Sequence, residues 1–316
     1  MGHEHNAVIR QFVESEHRLF LRIFFRATSH TGQQLDTIPI QYYFIEDGRR
    51  IQDRNGIDSR LLQLESKGFR LGEFWEAFMT GRFSSKVALV TGGTGGLGRA
   101  VTLALLHEGA SVIATYIVKA EAEALHDAVG PKATLELLPL DATDEAACRA
   151  LVDGITARHG HLDILVNAIG GYAGGKPVWE TEPKTYQLML TLNLHAGFNL
   201  ARTVVPAMLR QKSGAIVNIA SKAALDHAAG AGAYAASKAA ALALFDCLAQ
   251  DVKGSGMRVN SVLPSIIDTE PNRKAMPTAD FSKWPKPEEI ARVILFLCSP
   301  EAKLIHGAAI PVYGES

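Results

Sequence analysis

The chain has 316 residues, 47 % of them apolar and 21 % charged, with a formal net charge of −1. That length suits one large α/β domain or two smaller ones, and the near-neutral charge points away from nucleic acid or an anionic membrane as the main partner. No apolar run nears the ~20 residues of a membrane span, Glu4, Glu14 and Glu16 disrupt a signal-peptide layout, and Cys148, Cys247 and Cys298 lack metal-ligand spacing, which predicts reduced thiols, no metal and a cytoplasmic location.

The first part of the chain is rich in Arg and aromatics and poor in Ala. "LFLRIFF" (Leu19 to Phe25), broken by Arg22, reads as a buried strand or helix, not an anchor. "IPIQYYFIEDGRRI" suggests a hairpin turning at Asp47-Gly48. "DSRLLQLESKGFRLGEFWEAF" suggests a helix interrupted at Gly68. The character changes near Met79, a few polar residues ahead of a new apolar run, where a domain of the second kind usually opens. Residues 1–78 are then an accessory segment: an interaction module, an oligomer arm, or upstream sequence that does not fold independently.

From there apolar runs alternate with helical patterns, the signature of βαβ units and a parallel sheet. "KVALV" predicts strand one and Leu97 to His107 the first helix; "SVIATY" is strand two. "TLELLPL" is strand three, with a helix from Asp144 to Arg158 after it. "LDILVNAI" is strand four, followed by one long helix from about Tyr186 to Leu209. "GAIVNIA" is strand five, the Ala-rich helix runs from about Gly232 to Val252, and "MRVNSVLP" is strand six. A helix from Pro287 to Cys298 and a last strand in "AAIPVYG" complete a doubly wound α/β sheet over residues 79–316.

Strand one runs into "TGGTGGLG" (Thr91 to Gly98), which opens a helix. A pyrophosphate needs backbone N–H donors, a positive helix end and no side chains in the way. Gly92, Gly96 and Gly98 supply those conditions in the required strand, loop, helix order; ordinary tight turns also use glycine. Downstream, "YAASK" places Tyr234 and Lys238 four apart, on one helix face. A core aromatic with a snorkelling Lys would look the same. Asn193 sits in the predicted long helix, where Asn is a mediocre former.

The T-G-x-x-x-G-x-G spacing resembles the short-chain dehydrogenase/reductase family, and the resemblance runs over roughly residues 85–315. "VNAIGG" resembles the family's N-N-A-G at the end of strand four, with Asn167 and Gly170 in register and Ala168 and Ile169 departing. Ser221, Tyr234 and Lys238 match the spacing of the family's catalytic set, with Asn193 as its fourth member, holding a water in a proton relay. The resemblance implies a Rossmann-like fold, an NAD(P) cofactor, a small-molecule substrate and a homo-oligomer, dimer or tetramer. It implies cofactor contacts from Gly92, Thr94, Gly96, Leu97, Gly98, Tyr116, Asp141, Ala142, Asn167, Gly170, Tyr234, Lys238, Pro264, Ile267 and Thr269. Asp141 in "LPLDATD" also suits an N-cap for the next helix, and Ser221 a turn.

The chemistry gives a reason for these residue types. Hydride transfer to a carbonyl leaves an alkoxide that needs a proton. Tyr can supply it, but its ordinary pKa of about 10 is high for exchange near neutrality. A neighbouring Lys⁺ and the charge of the oxidised nicotinamide both favour phenolate.

Cofactor choice is read at the end of strand two, where an acid binds the ribose 2′-hydroxyl and an Arg the 2′-phosphate. Tyr116 and Ile117 stand there instead. The missing acid, with Lys119 nearby, tilts the reading to NADPH; Lys119 also reads as a solvated helix-start charge. Strand six ends Pro264-Ser265 where the family usually has Pro-Gly. "LPSIIDTEPNRKAMPTADFSKWPKPEEI", "GGYAGG" and "SKAALDHAAG" resemble stretches of dihydropteridine reductase, which reduces a quinonoid pterin with NADH. That enzyme lacks the serine present here as Ser221, so a carbonyl or secondary alcohol is the first reading and a pterin the second. A catalytically weak nucleotide-binding regulator is the third. Tyr172, Asn272, Met276 and Trp284 are candidates for the substrate wall, or for packing in the segment after strand six; Met and Trp there suggest an apolar or flat substrate.

Overall fold

The structure, a computed structural model, describes residues 81–130 and 134–316, together with the backbone of four strands ahead of them. The chain divides into two compact units, Met1–Phe78 and Met79–Ser316. In the first, β1 (Asn6–Ser15), β2 (Arg18–Arg26), β3 (Ile38–Glu46) and β4 (Arg49–Ile51) form a sheet in sequence order, each strand antiparallel to the next. "LFLRIFF" is therefore strand, within β2. The arms of the predicted hairpin pair as β3 and β4, with Glu46 opposite Arg49. The turn at Asp47-Gly48, the burial of β2 and the helix expected around Gly68 lie outside the described residues.

The second unit is built on seven parallel strands: β5 (Val87–Thr91), β6 (Ser111–Tyr116), β7 (Leu135–Pro139), β8 (Ile164–Asn167), β9 (Gly214–Ile219), β10 (Met257–Pro264) and β11 (Ala309–Val312). Their spatial order is β11-β10-β9-β8-β5-β6-β7, so the direction of winding reverses between β5 and β8. Strands buried on both faces need unbroken apolar runs, and β5 is buried at every position. Its side chains alternate between two cores. Ala88 and Val90 pack with α1 (Gly96–His107) and the helix Pro287–Cys298; Val87 and Leu89 pack with α3 (Glu145–His159) and later helices. A layer of helices thus covers each face, a Rossmann-like doubly wound fold.

Local chemistry explains the helix ends. Helix α2 (Lys119–Val129) begins just after β6. Helix α3 starts at Asp144, whose carboxylate accepts from the N–H groups of Ala146 and Ala147, and ends at Gly160 in the left-handed region, φ +78°. The N-cap is therefore Asp144 and not Asp141. The predicted single helix from Tyr186 to Leu209 is three pieces: α4 (Pro183–Leu190), a π turn (Thr191–His195) and α5 (Ala196–Gln211). Helix α6 (Gly232–Asp251) carries the Ala-rich run, and a short α7 (Glu270–Ala275), absent from the sequence reading, precedes α8 (Pro287–Cys298). Pro287 at the first position and Glu288 and Glu289 in the first turn suit the start of α8. Among the described residues, no helix is long and apolar enough to cross a membrane.

Candidate active site at the carboxyl ends of the strands

The predicted glycine-loop residues, Asn167, Pro264 and Thr269 fall at or beyond the carboxyl ends of the parallel strands, and Tyr234 and Lys238 lie one turn apart on α6. The switch between β5 and β8 is where open α/β sheets leave a crevice for ligands. The glycine loop leaves β5 with Gly92 at φ +66°, a backbone angle that side-chain-bearing residues rarely adopt. Its N–H donates to Thr115 Oγ1 at 3.1 Å, and the Gly93 N–H to the Thr115 carbonyl at 2.9 Å. A Cβ at Gly98 would overlap the Gly92 carbonyl, so the third glycine is required by the loop's own closeness. A Cβ at Gly96 would lie 2.8 Å from Thr269 Cγ2, which brings Thr269 from beyond β10 onto the loop. Leu97 is buried in the core behind it.

Asn167, at the end of β8, is buried and makes no approach to solvent. It accepts from Thr91 Oγ1 at 3.2 Å and donates to Asn218 Oδ1 at 3.1 Å, tying three strands together. Its small neighbour Gly170 faces two other predicted residues. A Cβ there would lie 2.8 Å from Asn193 Oδ1 and 3.0 Å from Lys238 Nζ. The Asn193 amide clamps Gly171, accepting from its N–H and donating to its carbonyl, both at 3.0 Å, and donates to Ser237 Oγ at 3.0 Å. Both of its N–H groups are thus committed to protein partners, so the side chain is a clamp and is not free to hold a water by donation. The π turn around it is the kind of irregularity that accompanies functional sites.

Lys238 is 6 % exposed and donates to the Ile219 carbonyl at 2.9 Å. Burial pulls its pKa down to about 8. Tyr234 moves the other way: burial raises its pKa most, the nearby Ser221 hydroxyl lowers it in part, and Tyr172 raises it again. Desolvation here outweighs the stabilising contact. Ser221 also accepts from the Ala223 N–H at 3.1 Å, so it does hold a turn as well. The Tyr172 ring meets Tyr234 edge-on, with centroids 5.0 Å apart.

The remaining predicted residues divide. Asp141 is exposed, and its carboxylate accepts from the N–H and hydroxyl of Thr143, which hold it below the usual carboxylate range; Ala142 beside it is buried. Tyr116 ends β6 half-buried, and Ile117 is 76 % exposed. Lys119 pairs with Glu123 at 3.4 Å, on the outside of α2. Pro264 ends β10, and Ser265 donates to the Tyr313 carbonyl at 2.6 Å, so serine ties down the chain where glycine was expected. Ile267 packs against the core. Of the proposed wall, Trp284 is buried against Phe281 and Asn272 donates to the Ile267 carbonyl at 2.8 Å; both pack their own segment. Met276 follows α7 as its C-cap. Two residues had escaped the sequence reading. Ser237, inside "YAASK", links Asn193 to the Tyr234 carbonyl. Glu121, an acid in the first turn of α2, accepts from Thr94 Oγ1 of the glycine loop at 3.0 Å.

The groups present have the chemistry that a dinucleotide's phosphates and ribose need. The glycine loop leaves backbone free of side chains at a helix start, and the one hydrogen bond found for buried Lys238 leaves its other N–H groups for a ligand.

The sequence profile of the family described as short chain dehydrogenase matches residues 86–280. The 3-oxoacyl-acyl-carrier-protein reductase FabG of Thermotoga maritima is 34 % identical over 242 residues, spanning 74 % of this chain and 98 % of that protein. The cyclopentanol dehydrogenase of a Comamonas species is 35 % identical over 251 residues, spanning 74 % and 98 %. Among solved structures, levodione reductase superposes with a TM-score of 0.69 at 27 % identity, covering 73 % of this chain and 97 % of that one. With that profile, these relatives and the seven-stranded sheet in agreement, the chain belongs to the short-chain dehydrogenase/reductase family and is an oxidoreductase.

Proposed function

We propose that residues 79–316 form an NAD(P)-dependent catalytic domain that interconverts a carbonyl and a secondary alcohol, with Tyr234 as proton donor and acceptor. The observation that carries this reading is Lys238, buried and anchored by the Ile219 carbonyl, one helical turn from Tyr234 on α6. Bound nicotinamide supplies or takes up the hydride. Ser221 holds the substrate oxygen beside the Tyr234 hydroxyl. Tyr234 gives its proton to that oxygen in reduction and takes it back in oxidation. Lys238, anchored by the Ile219 carbonyl, offers its other N–H groups to the cofactor ribose. Asn193 and Ser237 position the Gly171 backbone and the Tyr234 turn.

The relatives named above are, by their names, a reductase of 3-oxoacyl groups and a dehydrogenase of cyclopentanol, which supports a carbonyl or alcohol substrate here. Tyr172, exposed and edge-on to Tyr234, suits an apolar or flat one. The proposal includes a homo-oligomer, supported by exposed Phe198 and Leu209 on α5, and a cytoplasmic location, supported by three free thiols. Residues 1–78 are read as an accessory unit. A screen of NADH and NADPH oxidation against ketones, oxoacyl thioesters and quinonoid pterins tests the function. Turnover of a ketone or thioester is expected, and Tyr234→Phe should lower it by a factor of about 100 or more with cofactor affinity kept. Turnover confined to pterins would replace the carbonyl class. Cofactor binding without turnover would make the protein a nucleotide-binding regulator.

A further inference from the structure

The end of β6 leaves cofactor choice open, since Tyr116 and Ile117 are neither acid nor base. The structure brings a different residue to that place. Thr94, 6 % exposed at the tip of the glycine loop, donates from Oγ1 to Glu121 Oε2 at 3.0 Å. Glu121 lies in the first turn of α2, five residues beyond the end of β6. Its carboxylate is therefore fastened to the loop between the carboxyl ends of β5 and β6, where the adenosine ribose of a dinucleotide lies in this fold. One oxygen accepts the Thr94 hydrogen bond. The other remains able to accept from a ribose hydroxyl.

The surrounding charges point the same way. Lys119, the basic residue of this turn, pairs with Glu123 and its side chain is 81 % exposed. Gly95, inside the loop, has no side chain, and the exposed Ile117 and Val118 offer no side-chain donor. A carboxylate held there accepts from a 2′-hydroxyl and repels a 2′-phosphate dianion. We infer that Glu121 selects the cofactor, favouring the free 2′-hydroxyl of NADH over the 2′-phosphate of NADPH. This reverses the tilt that strand two suggests when read alone, and it rests on the reading that a nicotinamide dinucleotide binds across the glycine loop.

Calorimetric titration of the full chain with NADH, NADPH, 5′-AMP and adenosine 2′,5′-bisphosphate tests it without requiring a substrate. NADH should bind about tenfold or more tightly than NADPH at low salt, 5′-AMP more tightly than the bisphosphate, and added salt should narrow both ratios. Glu121→Gln keeps the Thr94 contact and removes the charge, so it should narrow the NADH preference at least about fivefold. Asp127→Asn, the same charge change farther along α2, should leave the preference unchanged. Equal or tighter binding of NADPH by the unaltered protein would overturn the inference even if the variant failed to fold; so would equal effects of the two substitutions. Failure of both dinucleotides to bind would overturn the nicotinamide reading itself.

Discussion

Tyr172 stands edge-on to Tyr234, ring centroids 5.0 Å apart and planes inclined at 74°. Tyr172 comes from the segment after β8 and Tyr234 from the first turn of α6, so the contact joins two segments about 60 residues apart in the chain. It also helps to bury the phenol, and both burial and Tyr172 push the Tyr234 pKa up. Tyr172→Ala should therefore lower that pKa. In the direction of alcohol oxidation, the acidic limb of the kcat/KM profile should move to lower pH. A limb that stays in place or moves up would separate Tyr172 from the acidity of Tyr234.

Lys238 provides a second pH-dependent measurement. Its folded pKa, about 8, lies below the ordinary 10.5. The unfolded chain thus holds more protons between those values, and this residue's contribution to stability rises with pH across that window. Below about pH 8 the buried charge costs stability. Compared with Lys238→Met, the unaltered protein should gain on the order of 1–3 kcal/mol in relative stability between pH 7.5 and 10. Urea unfolding of both proteins without cofactor, at several pH values, measures the difference. A constant difference would mean that the ammonium is better solvated than its burial implies.

The polar row across the sheet makes a contrasting pair. Thr91, Asn167, Asn218 and Ser261 stand in register on β5, β8, β9 and β10. The first three are hydrogen-bonded in sequence, whereas Asn218 Nδ2 and Ser261 Oγ are buried without partners. Asn167→Ala should cost about 2–4 kcal/mol, because it strands the Asn218 carbonyl oxygen, leaves Thr91 only its long bond to the Val166 carbonyl, and opens a gap. Ser261→Ala should fall within about 1 kcal/mol of neutral, or stabilise, because its hydroxyl has no bond to lose. Equal losses in thermal unfolding would contradict the network.

Arg258 closes the far end of α8. Its guanidinium donates to the carbonyls of Leu297, Cys298, Ser299 and Ala302, satisfying groups that a helix end leaves unpaired. Burial lowers its pKa, yet the group stays charged in any usable buffer. Arg258→Ala should destabilise by about 2–4 kcal/mol, with Arg258→Lys recovering only part, since a compact ammonium has too few N–H donors for four separate carbonyls. Full recovery by Lys in denaturant titrations would show that charge alone, without the planar fork, closes the helix.

Much of the architecture was legible because burial on both faces forces continuous apolar strands. "SVIATY" and "MRVNSVLP" appear as strands with the bounds their residues suggested. The glycine loop was legible for a similar reason: only glycine fits at Gly92 and Gly98, one by backbone angle and the other by closeness to a carbonyl. Spacing along α6 placed Tyr234 and Lys238 on one face, because helical periodicity is a local property.

Other features depended on distance through space. No local pattern marks the π turn at Thr191–His195, since its Asn193 is held by Gly171 and Ser237 from other segments. Asp144, not Asp141, caps α3, and the two differ only in which amides the folded chain presents to them. The contact between Thr94 and Glu121, 27 residues apart, needs β5 and β6 side by side before it exists. Periodicity and glycine geometry are written residue by residue and determined the sheet, the loop and the Tyr-Lys face. Which polar groups meet, and how deeply each is desolvated, was decided only when the strands packed, because hydrogen bonds and pKa values depend on neighbours that sequence separation does not measure.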